Sequence, residues 1–128
     1  MLKIVDRSLG WLLLLGGVGH TYGAFQAYAH QSQTFIWALS GSLAVLLLAV
    51  VNLVRVERSD DRTLAWLSFA GCVCWIVLTL GFGKATRDFL DPRVIYHVVV
   101  SLGLAVLSLR MAFGWGAGRD TMVAGHAA

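Results

Sequence analysis

Four long stretches without a single Asp, Glu, Lys or Arg fill most of this chain: residues 8–29, 31–54, 63–83 and 94–109. Crossing a bilayer core as a helix takes roughly 20 predominantly apolar residues. The first three stretches are that long, and the fourth reaches it only by continuing past Arg110 to about Trp115. A chain with this pattern has lipid as its solvent. The expected fold is all-α and integral to the membrane, with four transmembrane helices at about 8–29, 33–55, 62–83 and 93–115. Together they make one domain over 1–115, and 116–128 follow as a flexible Gly- and Ala-rich tail.

Composition excludes the soluble alternative. Charged residues make up 13% of the chain and hydrophobic ones 58%, whereas a soluble domain carries about 25% charge. The net charge of +3 does not point to nucleic acid, because the basic residues stand at span ends and form no patch or motif. In those places they meet lipid headgroups and set orientation.

The links between spans are short, and short links make consecutive helices antiparallel neighbours. An up-down-up-down bundle follows. Ser59, Asp60 and Asp61 are candidate caps for the third helix. Asp91-Pro92 is a good start for the fourth, with a capping carboxylate and a proline at the first helical position. With both termini cytoplasmic, the inside holds Lys3, Arg7, Arg55, Arg58, Arg62, Arg110 and Arg119, and the outside Lys84, Arg87 and Arg93. Cytoplasmic segments carry the excess of Lys and Arg, so the termini are placed inside. The expected location is the plasma membrane, as in a bacterial inner membrane.

Two constellations of polar residues stand within the spans. Gly16, Gly19, Gly23 and Ala27 give the first helix small residues on which a neighbouring helix can pack closely. His20 lies beside this set and is expected to face the bundle interior, because ionisable groups in a span normally do. In the fourth helix Arg93, His97 and Ser101 recur every four residues and so share one face, with Tyr96 adjacent. Tyr22, Gln26 and His30 make a similar stripe on the first helix, and Gln33, Thr34, Trp37, Ser40 and Thr79 stand at comparable depth. The other half of each span is mostly Leu, Val and Ala. The expectation is a polar and aromatic pocket opening outward over a dry inner plug, lined by His20, Tyr22, Gln26, Trp37, Arg93, Tyr96, His97 and Ser101.

Three functions suit such a pocket. It can bind a small hydrophobic or amphipathic molecule, since such sites are mostly apolar with few polar groups, or serve an accessory subunit of a membrane complex. A small oligomeric transporter or channel is the alternative, although no Asp or Glu lies within an expected span. A second alternative is a redox protein with haem or a metal held by His20 and His97. The estimated ~7 Å difference in depth between them, at ~1.5 Å rise per residue, argues against a symmetric site. Catalysis has only a nonspecific cluster, His97 with Tyr96, Arg93 and Asp91, so the reading leans away from an enzyme. Membrane lipids are partners in every case, and four short spans make a homo-oligomer or a subunit of a larger complex plausible. Cys72 and Cys74 point to different sides of one helix and read as packing residues. Trp11, Trp66, Trp75 and Trp115 read as packing and interface anchors.

Overall fold

A computed structural model describes residues 1–114, and all of the regular structure in it is helical. The four helices are α1 (Leu2–Ala27), α2 (Gln33–Glu57), α3 (Arg62–Thr86) and α4 (Pro92–Ala112). The expected tail over 116–128, and Trp115 with it, lies outside the described residues.

Each start after the first is written in the sequence as a capping side chain. Ser32 accepts from the Phe35 amide at 3.1 Å, Asp61 from Leu64 at 2.9 Å and Asp91 from Arg93 at 2.8 Å. Such caps satisfy amides that the first helical turn leaves without partners. Pro92 then opens α4. The α3 helix ends on Arg87, in the left-handed region at φ 57°, whose amide reaches back to the Lys84 and Gly83 carbonyls.

The helix α1 begins at Leu2, well before the expected residue 8. Nothing between Lys3 and Arg7 breaks a helix, so its charged first turns simply run on beyond the apolar stretch. Asp6 therefore belongs to a helix of the bundle. Three helices, α2, α3 and α4, are long and apolar enough to cross a membrane. The glycines of α1 together with His20, Thr21 and Tyr22 dilute its hydropathy.

Contacts run between α1 and α2, α2 and α3, α3 and α4, and α1 and α4, so the helices close a ring. The α1–α2 and α3–α4 pairs meet along more of their length than the other two seams. The core is the cluster of Leu13, Val45, Ala49, Cys72, Trp75, Val100, Leu104 and Ala105. Outside it, Leu43, Leu47, Val77, Leu78, Val99, Leu102 and Val106 are each more than half exposed. Larger exposed apolar patches mark an interaction surface or a membrane, and a belt this continuous matches lipid.

Small residues decide how closely the helices approach. A Cβ on Gly17 would stand 2.8 Å from Leu46, and one on Gly16 would stand 2.7 Å from Tyr96 and 2.9 Å from His97. Gly19 and Gly23 have nothing within 4 Å of such a Cβ, and Ala27 is exposed. Within the chain, close packing thus uses the Gly16 and Gly17 faces of α1 and leaves the Gly19–Gly23–Ala27 stripe on the outside. Residue type does not separate Gly16 and Gly17 from Gly19 and Gly23; the positions of α2 and α4 do.

Candidate functional site

His20 is half-buried on α1 and turns toward α2, where its Nδ1 lies 2.9 Å from Ser42 Oγ. The Ser42 hydroxyl has one hydrogen, and it is directed at the Ala38 carbonyl 3.1 Å away. The tautomer that satisfies both contacts has His20 Nδ1 donating to Ser42, and it leaves Nε2 with a free lone pair.

His97 is buried on α4, and Trp75 of α3 donates its indole N–H to His97 Nδ1 at 3.3 Å. An indole nitrogen is only a donor. In the neutral ring His97 Nδ1 is therefore the acceptor, and the proton sits on Nε2. That edge of the ring faces Gly16 of α1, where Nε2 would be 3.4 Å from an added Cβ. Gly16 is one helical turn from His20, ~6 Å along the axis. Tyr96 spans the same seam by donating to the Leu12 carbonyl at 2.7 Å, and its ring packs edge-on to His97. The Ser101 hydroxyl, one turn along α4 from His97, is buried without a hydrogen-bond partner among the described residues.

The two histidines thus present opposite chemistry. The hydrogen bonds among the described residues use only Nδ1 of each ring. His20 Nε2 can accept a hydrogen bond, and His97 Nε2–H can donate one. A hydroxyl, a phenol or a protonated acid answers both.

Of the pocket residues expected from sequence, Tyr96 and His97 meet Gly16, with His20 one turn along α1 from Gly16 and Ser101 one turn along α4 from His97. The others do not join them. Tyr22 is 67% and Trp37 69% exposed, and Gln26 also faces outward. Arg93 turns back onto Asp91, with hydrogen bonds of 2.9 and 2.5 Å, and lies over the Phe82 ring. Periodicity put these side chains on polar stripes, but stripes wide enough to reach the lipid interface. Ser42, rather than the exposed Ser40, is the partner on α2. Trp75, read from sequence as an anchor, is the partner on α3. Its signal was present, because Ser68, Cys72, Trp75 and Thr79 recur at helical spacing and are all buried.

The expected dry plug at the other end of the helices is overturned. Arg55 is wholly buried there and makes a two-pronged pair with Asp6 of α1 at 2.5 and 3.0 Å. Asn52 lies 3.4 Å from the same guanidinium and donates to the Leu48 carbonyl and to Cys72 Sγ. Arg55 closes an apolar run, a position that suits a headgroup-facing charge, but its face of α2 points inward. On the surface nearby, Glu57 pairs with both Arg7 and Lys3. A shallow groove on α1 is lined by Lys3, Ile4, Arg7, Ser8 and Trp11, apart from the histidines.

A bis-histidine haem does not fit this donor set. Iron needs a lone pair on each ring, and the Trp75 bond puts the proton of neutral His97 on Nε2. Among the described residues no group of three or more His, Cys, Asp and Glu is placed to hold a metal ion. The chain matches no protein-family model, no curated protein and no solved structure.

Proposed function

We propose that this chain is a small polytopic membrane protein that binds an amphipathic molecule by its polar head between His20 and His97, alone or as an accessory subunit of a membrane complex. The observation carrying this reading is the pair of Nε2 atoms that the described hydrogen bonds leave unused, one on His20 of α1 beside α2 and one on His97 of α4 beside Gly16 of α1. A ligand with a hydroxyl or protonated acid on an apolar body suits the α1–α4 seam. Its head meets both histidines while its tail lies among lipid-facing side chains such as Leu15 and Val99.

The wider architecture belongs to the same proposal. Four spans run up-down-up-down as one domain over 1–115, with α1 as the fourth span. Contacts between Asp6 and Arg55, His20 and Ser42, and Trp75 and His97 suit that order. Withdrawing Arg55 from the surface leaves Lys3, Arg7, Arg58, Arg62 and Arg110 at one end against Lys84, Arg87 and Arg93 at the other. The excess still favours termini inside and puts the histidines in the outer half of a plasma or bacterial inner membrane.

The experiment is mass spectrometry of whatever extracts from the detergent-purified protein, followed by titration with 4-hexylphenol as a probe. A stoichiometric hydroxyl- or acid-bearing lipid, and probe binding lost in both His20→Ala and His97→Phe, are expected. An empty protein that binds the probe equally in wild type and variants rejects the reading.

A further inference from the structure

The inner end of the bundle holds buried polar groups that the histidine site does not use. Several hydroxyls on these helices bond back to a carbonyl of the preceding turn. Thr21, Ser40, Ser42, Thr79 and Thr86 all do so. Ser68 and Ser108 do not. Both are 0% exposed, and both hydroxyls lack a partner among the described residues. So does Nε of Arg55, itself 0% exposed. In a lipid-solvated protein each such group is costly, because no outside water relieves it.

These three groups lie at one level. Contacts between α3 and α4 step from Gly83 with Val94, through Trp75 with His97, to Trp66 with Phe113. Interpolating along that series sets Ser68 beside Ser108. On α2 and α3, Asn52 meets Cys72, and one turn further toward the same end stand Arg55 and Ser68. Arg55 also reaches Met111 Sδ at 3.8 Å, and Met111 is nearly one turn beyond Ser108 on the same face of α4. The helix α1 supplies Asp6, whose side chain is 13% exposed against 1% for Arg55.

We propose that Arg55 Nε, Ser68 Oγ and Ser108 Oγ form a second binding site, for a small neutral oxygen-bearing guest, and that this guest is water continuous with the inner aqueous phase past Asp6. Buried waters typically make about three hydrogen bonds to otherwise unsatisfied groups, and the site offers one fixed donor and two hydroxyls that serve either role. An anion is disfavoured, because Asp6 already neutralises the guanidinium. The inner half of the bundle is then hydrated. The core that includes Leu13, Val45, Ala49, Cys72 and Leu104, each 0% exposed, separates inner water from the histidine site.

The first test is the thermal midpoint of Ser68→Ala/Ser108→Ala in micelles. Removing buried hydroxyls that hold water lowers it, whereas removing hydroxyls that hold nothing leaves it unchanged or raises it. A raised or unchanged midpoint overturns the proposal. The second uses the unmodified chain, 15N-labelled. A water cross-peak at Arg55 Nε–H, together with its exchange in deuterated solvent, is expected, and an Nε–H protected like the core amides overturns the proposal. The third places Ser108→Cys in a Cys72→Ala/Cys74→Ala chain in vesicles. A small charged methanethiosulfonate should modify it from the side of the termini only. Modification from the opposite side, or from neither, overturns the inward opening.

Discussion

Trp75 Nε1 donates to His97 Nδ1 across the α3–α4 interface at 3.3 Å, edge to ring. This one bond sets which nitrogen of His97 carries the proton, and so what His97 can offer to the α1–α4 seam. Trp75→Phe keeps most of the packing and removes the donor. His97 then populates both tautomers, and its 15N ring shifts should move toward an even mixture. Binding of 4-hexylphenol should weaken about twofold, because only the tautomer with the proton on Nε2 can donate and an even mixture halves that fraction. Unchanged ring shifts would contradict the assignment.

The Asp6–Arg55 pair carries the largest predicted stability effect. Asp6→Asn removes the charge that compensates a wholly buried guanidinium. Leaving one member of a buried pair alone costs about 3–5 kcal/mol. Replacing both, as Asp6→Leu with Arg55→Met, removes the desolvated charges together and should recover most of that loss. Denaturant unfolding in micelles should rank the double variant above Asp6→Asn. The reverse order would show that the pair contributes net stability.

How far these features were legible depends on what a sequence encodes locally. The apolar stretches and the caps at Asp61 and Asp91 are local patterns, and the helices follow them. His20 and His97 were visible as polar groups that lipid-facing positions would not tolerate. Ser42 was hidden beside Ser40, because two residues apart on a helix face different neighbours and only the position of α1 chooses between them. Arg55 is ambiguous in sequence for the same reason. An arginine that ends an apolar run meets headgroups or turns inward according to whether a carboxylate waits on another helix. Asp6 lay outside the span expected for α1, so that partner was not foreseen.

The pH dependence of the α3–α4 loop follows from Asp91. The Arg93 side chain, and then the Arg93 backbone amide, hydrogen-bond its carboxylate and hold it below its usual value of 3.8. A carboxylate whose folded-state pKa is depressed stabilises the fold above its unfolded pKa and loses that contribution as pH falls through the folded one. The start of α4 should therefore be insensitive to pH near neutrality and fray only below about pH 4, where unpaired Asp titrates. Hydrogen exchange at the Arg93 and Val94 amides against pH checks this. Asp91→Asn, which keeps a capping oxygen without the titrating charge, should flatten the acid limb. Fraying that sets in near pH 6 would point to a histidine instead.

Glycine substitutions on α1 separate the packed face from the open one. An added Cβ at Gly16 would stand 2.7 Å from Tyr96 Cε1 and 2.9 Å from His97 Cε1. Both rings are held, Tyr96 by the Leu12 carbonyl and His97 by Trp75, so neither yields without breaking a hydrogen bond. Gly16→Ala should destabilise by about 1–3 kcal/mol, the usual effect of overpacking, and should displace His97 enough to abolish probe binding. Gly19→Ala and Gly23→Ala meet nothing within 4 Å. Those two should be neutral or gain up to about 1 kcal/mol from the better helix propensity of alanine. Thermal midpoints and probe titrations on the three variants decide the matter. A Gly19 or Gly23 variant as damaged as Gly16→Ala would mean that this face is covered in the membrane by another helix, and the outer stripe of α1 would then have to be counted as part of an interface.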